Sequence, residues 1–161
     1  MKIKNVVITA VALLLISACG GGGKSRVDQI KEQQANKAPE PTTLEEAEKN
    51  WENDHGIGPI SAFELPTEMD ADLAAKGMEI YEGKCTACHK IDKQFIGPEP
   101  KGILTRRTPA WVMNMILNPD EMVQKNAIAR QLLIKFNGSP MANQNLTEDE
   151  ARAVLEYFRT L

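Results

Sequence analysis

Two thiols three positions apart, with an imidazole immediately after the second, stand at Cys85-Thr86-Ala87-Cys88-His89. This C-x-x-C-H spacing is the attachment signature of c-type haem, and it has a physical reason. Thiols so spaced reach the two vinyl groups on one side of a porphyrin and close two thioethers. The next residue, His89, then lies under the iron and offers a ring nitrogen. Other chemistries fit less well. A thioredoxin-like thiol pair needs a neighbouring βαβ pattern, which the sequence lacks. A zinc site wants four ligands in separated pairs, whereas the only other histidine is His55 and the only other cysteine is Cys19. The implied cofactor is one covalent haem c held by Cys85, Cys88 and His89.

An electron carrier wants both axial positions of the iron filled, so that its geometry barely changes between redox states. Met78 precedes the motif on the same helix, and Met113, Met115 and Met122 sit in or beside helices and read as core. Met141 differs: it lies in the loop Gly138-Ser139-Pro140-Met141-Ala142-Asn143, just before the last helix, and Pro140 stiffens the approach. Such a loop can bend over the open haem face, so Met141 is the expected sixth ligand, with His55 or an open position as alternatives. A thioether ligand raises the potential.

The elements that must position these groups read as helices. Leu73, Gly77, Ile80 and Tyr81 share one face. Thr108 and Pro109 open a helix that runs to Leu117, and Asn118-Pro119-Asp120-Glu121 restarts another. Ile128, Leu132 and Phe136 recur at four-residue spacing until Asn137-Gly138 stops them. Thr147-Glu148-Asp149-Glu150 is a capping box, followed by the apolar stripe Ala151, Val154, Leu155 and Phe158. No stretch alternates as a strand. The fold class is therefore all-α: a small helical domain over 67–161, wrapped around one covalent haem. Aromatic residues make up only 5% of the 161 residues, too few rings for a thick protein-only core, and a large apolar cofactor would supply the rest.

The first eighteen residues read as an address. Lys2 and Lys4 give a positive start, and Val6–Ile16 is an apolar run too short to span a bilayer. Ile16-Ser17-Ala18-Cys19 resembles the lipobox of bacterial lipoproteins, which implies a signal peptide over 1–18, cleavage before Cys19 and lipidation of Cys19. Several acyl chains on one residue anchor stably, at about 0.8 kcal/mol per buried methylene. Residues 19–66 are expected as a flexible polar linker, Gly-rich at first and then low in apolar residues. Thr43–Glu52 is a candidate short helix within it, and His55 with the Gly56–Pro59 turn is expected to be mobile or loosely docked. A coil of that length spans roughly 35–40 Å. The expected location is the periplasmic side of the cell envelope, tethered to a membrane.

The segment from about Asp70 to Leu161 resembles the small class I c-type cytochromes. Gly77 and Tyr81 match the Gly and aromatic of that family's first helix, and Val154 and Tyr157 match the positions that cross it. Gly97-Pro98 looks like the family's Gly-Pro loop, in which the Pro98 carbonyl would accept a hydrogen bond from the haem histidine and raise its basicity. Arg106 sits where the family often places an arginine near a haem propionate, with Arg107 the near alternative. Pro140-Met141 matches the axial-methionine loop. Pro100 departs from the apolar residue usual there, and Arg107–Asn137 has no clear counterpart. Trp111 in that stretch reads as a core residue. With its Asn118-Pro119-Asp120, the stretch looks like lipoprotein cytochromes found beside nitrous oxide reductase.

The resemblance implies an electron-transfer protein rather than an enzyme: a mono-haem, monomeric carrier between a quinol-oxidising complex and a terminal oxidase or reductase, with nitrous oxide reductase among the candidates. The alternative is a haem enzyme or gas sensor with an open sixth site, but Asn143 and Gln144 beside Met141 are poor distal acids or bases. Nineteen basic against 22 acidic residues give a formal charge of −3, which disfavours nucleic acid as a partner. Removal of Lys2 and Lys4 with the signal peptide takes that balance to −5, which suggests redox partners with a basic docking patch.

Overall fold

The computed structural model describes residues 40–161. The expected signal peptide over 1–18, Cys19 and the expected linker up to residue 39 lie outside the described residues. Six α-helices follow in order: α1 (Leu44–Glu48), α2 (Ala71–Lys84), α3 (Pro109–Leu117), α4 (Pro119–Lys125), α5 (Ala127–Lys135) and α6 (Glu148–Phe158). Short 3-10 turns stand at Trp51–Asn53 and Ile103–Thr105, and no strand occurs among the described residues. The all-α expectation holds.

Local chemistry sets where each helix starts. Asp70 accepts the Leu73 N–H at 2.9 Å at the head of α2. Thr108 accepts the Trp111 N–H at the head of α3, where Pro109 occupies the first turn and has no N–H to satisfy. Asn126 does two jobs, accepting the Ala129 N–H at the start of α5 and the Trp111 indole N–H at 3.1 Å. At the head of α6, Thr147 and Glu150 form the reciprocal capping box. α5 ends at Asn137 and Gly138, both with left-handed backbone, and the Gly138 N–H returns to the Leu133 carbonyl at 2.8 Å.

The first and last helices of the haem-motif domain, α2 and α6, form the most extensive helix pair. They meet at Gly77, where a Cβ would overlap the carbonyl of Ala153 and stand 2.9 Å from the Val154 nitrogen. Beside this crossing Tyr81 packs on Tyr157 and Phe158, with ring centroids 5.5 and 5.8 Å away. Trp111, Val112, Ile116, Met122 and Ile128 form the buried core, to which α6 adds Val154 and Leu155.

The segment before α2 departs from the loose linker expected there. Residues 40–66 form a strap that packs on the core through Leu44, Trp51, Ile57, Ile60 and Phe63. Its polar fastening is Asn114, which is fully buried in the middle of α3. The Asn114 amide donates to the carbonyls of His55 and Ile60, both at 2.8 Å, and its oxygen accepts the Ile60 N–H at 3.0 Å. The Gly56–Pro59 turn is held as well: the Ile57 N–H reaches the Met122 sulfur at 3.0 Å. Without a Cβ, Gly58 lets the chain lie directly against Asn114. Backbone polar groups are what this strap satisfies, and they leave no trace in a side-chain polarity pattern.

Candidate functional site

The C-x-x-C-H motif begins at the last turn of α2. The Cys85 N–H still bonds the Tyr81 carbonyl at 2.8 Å, and Cys88 and His89 both return their N–H groups to the Cys85 carbonyl. The chain therefore makes one more tight turn, which brings both thiols and the imidazole to the mouth of one cavity. The loop that follows is tied back by the Gly97 N–H, which donates to the Cys88 carbonyl at 2.9 Å. Tyr81 steadies the same turn through its hydroxyl, 3.2 Å from the His89 carbonyl.

His89 Nδ1 lies 2.7 Å from the Pro98 carbonyl. That bond engages one ring nitrogen and leaves Nε2 as the available lone pair. The ring lies on the bare backbone of Gly97, where a Cβ would come within 2.5 Å of Cε1 and 2.9 Å of Nδ1. Gly97 and Pro98 thus fix the imidazole from one face and one edge.

The cavity, about 190 Å³ in volume, is lined by Cys85, Cys88, His89 and Met141, with an otherwise mainly apolar wall from α3, α5 and α6. Met141 reaches it from the loop between α5 and α6. His55 does not line it, so the alternative axial histidine stands away from the site. Met122 is fully buried in the core and Met113 nearly so. Met115 lines the cavity but from within α3.

Cys85 is partly buried and Cys88 exposed, and neither is in a disulfide, so both sulfurs are available for thioether bonds. Burial pushes the Cys85 thiol up to about 11, with the neighbouring Cys88 adding to the rise. A redox-exchange pair needs the opposite shift. Burial likewise raises the Tyr81 phenol to about 12, helped by Cys85 and Tyr157, so the phenol stays a proton donor toward the His89 carbonyl.

The two arginines are divided by the fold. Arg106 is one-third exposed and its guanidinium is occupied by the carbonyls of Lys101 and Glu99, at 3.0 and 2.6 Å, and by the Glu99 carboxylate at 3.6 Å. Arg107 is almost completely buried. It lies over the Trp111 ring, 5.2 Å from the centroid, and pairs with Glu48 from the strap. Its Nε has no partner, and the only other buried side-chain polar atom so placed among the described residues is Glu99 Oε2. Both residues line the cavity. Trp111 is a core residue, as expected, and also part of the cavity wall.

The arrangement fits a covalent haem. Two thiols, an imidazole with one nitrogen engaged, a thioether, an apolar wall and an unpartnered guanidinium nitrogen are the groups that a flat apolar ring with two carboxylates and a central iron requires. The cytochrome c family model matches residues 74–161. The chain belongs to the cytochrome c family. Its cofactor is a covalently bound haem c, and its role is electron transfer. Among solved structures it is similar to cytochrome c from Rhodothermus marinus, at 40% identity over 64% of this chain and 88% of that one, with a TM-score of 0.62. An engineered form of that protein, Rma TDE, is 39% identical over 64% and 89%, also with a TM-score of 0.62. The same engineered protein bound to a carbene intermediate matches at 39% identity over 64% and 88%, with a TM-score of 0.59. No curated protein matches the chain.

Sequence reasoning missed three features of this cytochrome c site and of the strap beside it. Asn114 carried no signal, because a lone asparagine in an apolar helix reads as a defect until the strap it binds is known. Glu48 lay in a segment expected to be loose. The division of labour between Arg106 and Arg107 depends on which one the 3-10 turn at Ile103–Thr105 leaves pointing inward, and adjacent positions in a sequence cannot state that.

Proposed function

We propose that this cytochrome c is a mono-haem carrier of single electrons, tethered by lipid on Cys19 to the periplasmic side of a membrane. The observation that carries the reading is one cavity lined by Cys85, Cys88, His89 and Met141. Cys85 and Cys88 would form the thioethers. His89 would bind the iron through Nε2, held by Gly97 and Pro98, and Met141 would fill the sixth position. Arg107, rather than the more occupied Arg106, is the better-placed partner for a haem carboxylate. The bound haem supplies a one-electron couple. The chain supplies a dry pocket, a fixed imidazole and a soft sulfur ligand, which favours a fairly high potential.

Donors of the quinol-oxidising class and acceptors of the terminal oxidase or reductase class, nitrous oxide reductase among them, suit such a carrier. A formal charge of −3, and −5 after loss of the signal peptide, suits partners with basic docking patches. The tether rests on the lipobox-like Ile16-Ser17-Ala18-Cys19. Cys19→Ala should release the protein from the membrane fraction; continued tight association would refute the anchor.

A pyridine haemochrome assay with absorption spectra of both redox states tests the site. One haem per chain, two thioethers and a sulfur-to-iron band in the oxidised protein are expected. An open-site spectrum that changes on adding carbon monoxide would instead favour a gas-binding or enzymatic role.

A further inference from the structure

Glu48 ends α1, on the strap that precedes the family-matched segment 74–161. Its carboxylate pairs with Nη2 of Arg107, while Nη1 of the same guanidinium donates to the Arg106 carbonyl. Trp111 covers one face of the guanidinium. Arg107 is only 3% exposed, so its charge is poorly screened by water and salt. Nε remains buried and unpartnered on a residue that lines the haem cavity. A buried guanidinium with one edge held by a carboxylate and another left without a partner is poised between two anions, one supplied by the strap and one by whatever fills the cavity.

We propose that Glu48 is a positioning residue for the haem: it holds the Arg107 guanidinium against the cavity and, by offsetting that cation's charge, lowers the potential of the iron. The proposal rests on the reading that Arg107 faces a haem carboxylate. A positive charge near the haem favours the reduced state, and a carboxylate beside that charge weakens the preference. The strap thereby does more than cover the core. It brings a carboxylate to Arg107, which itself stands in the cavity wall.

The strap has further attachments that keep Glu48 in place without passing through Arg107. Arg130 pairs with Glu40 at 3.2 Å, and the Asp54 carboxylate accepts from the Asn126 amide, at 2.9 and 2.8 Å to its two oxygens. Loss of the Glu48 charge should therefore leave the strap docked, which makes the charge separable from the packing.

The test compares Glu48→Gln with Glu45→Gln in the full-length haem-loaded protein, by equilibrium redox titration and thermal melting. The amide introduced by Glu48→Gln keeps an oxygen that can accept from Arg107 but carries no charge. Glu45 is an exposed residue on the same helix, and its replacement removes the same charge away from the cavity. A higher potential for Glu48→Gln than for Glu45→Gln is the expected result, with a lower melting temperature for Glu48→Gln because the buried guanidinium loses its counter-charge. A potential for Glu48→Gln no higher than that of Glu45→Gln overturns the proposal. The wild-type spectrum separately reports sulfur ligation, so a failure of the carrier reading is distinguishable from a failure of this one.

Discussion

Gly77 of α2 and Ala153 of α6 touch backbone to backbone, so closely that any side-chain carbon on residue 77 would overlap the Ala153 carbonyl. This contact fixes where the haem motif begins. The two helices cross at one point, α2 leaves that crossing and runs about one turn further to Tyr81, and the cysteines follow on the next turn. Closest approach at a glycine also lets Tyr81 reach Tyr157 and Phe158 across the same junction.

Gly77→Ala should therefore destabilise the protein by more than a side-chain overlap in a soft core, where overpacking costs about 1–3 kcal/mol. Backbone on a packed helix cannot rotate away. A thermal melt of the haem-loaded variant should show a large drop in melting temperature. A melt indistinguishable from wild type would mean that the two helices separate easily.

Asn114 gives a second prediction. It is buried with three hydrogen bonds to strap backbone, and removing its amide leaves those groups unsatisfied, at about 1–3 kcal/mol for each buried group stranded. Asn114→Ala should loosen residues 55–60 before it unfolds the domain. Limited proteolysis should cut the variant in this stretch while wild type resists, with the haem spectrum retained. Equal resistance would assign the strap's docking to its apolar contacts alone.

Most of the helical frame was legible in the sequence because its signals are local. Thr108-Pro109, Asn137-Gly138 and the Thr147–Glu150 box each fix a boundary through a bond or a backbone angle within a few residues. The haem-binding turn was legible for the same reason, its chemistry being compressed into one short run from Cys85 to His89. The strap was not. Its attachment joins residues far apart in the chain, Asn114 to His55 and Ile60, through main-chain groups that every residue possesses, and its composition is that of a linker. Arg107 was visible as a candidate beside Arg106, but only burial against Trp111 and Glu48 distinguishes the two.

A third prediction concerns acid. Burial alone would raise the Glu156 carboxyl, but the Asp70 N–H and the guanidinium groups of Arg152 and Arg159 outweigh it and hold the group below its ordinary value of 4.5. The Asp70 N–H donates at 2.8 Å, Arg152 at 2.5 Å and Arg159 at 2.7 Å. A carboxyl lowered on folding stabilises the native state above its unfolded value, and that contribution is lost as pH falls below 4.5 and through the lower folded value. Glu156→Gln should cost about 2 kcal/mol at neutral pH, in the range of charge-assisted hydrogen bonds. The gap between variant and wild type should narrow as the pH is lowered through that window. Chemical denaturation at neutral pH and at about pH 3, below the ordinary carboxylate range, measures both. A gap that stays constant would show that the charge of Glu156 contributes nothing.

The last prediction concerns the sixth ligand. Met141 lies between the left-handed pair Asn137 and Gly138, which ends α5, and the capped start of α6 at Thr147. The loop is therefore anchored at both ends, and it presents the thioether to the same cavity as His89. The cavity wall offers no second sulfur from a methionine in a loop: Met115 belongs to α3, where movement toward the iron would unwind a helix built around buried Asn114. Met141→Ala should remove the weak far-red sulfur-to-iron band of the oxidised protein and lower the potential, because a soft ligand that favours the reduced iron is lost. Helix content should change little, since Met141 stands in a loop, while melting should fall because the bond that ties this loop to the cofactor is lost. A band that survives the substitution would move the ligand to Met115, and a band absent already from wild type would leave the sixth position to another group.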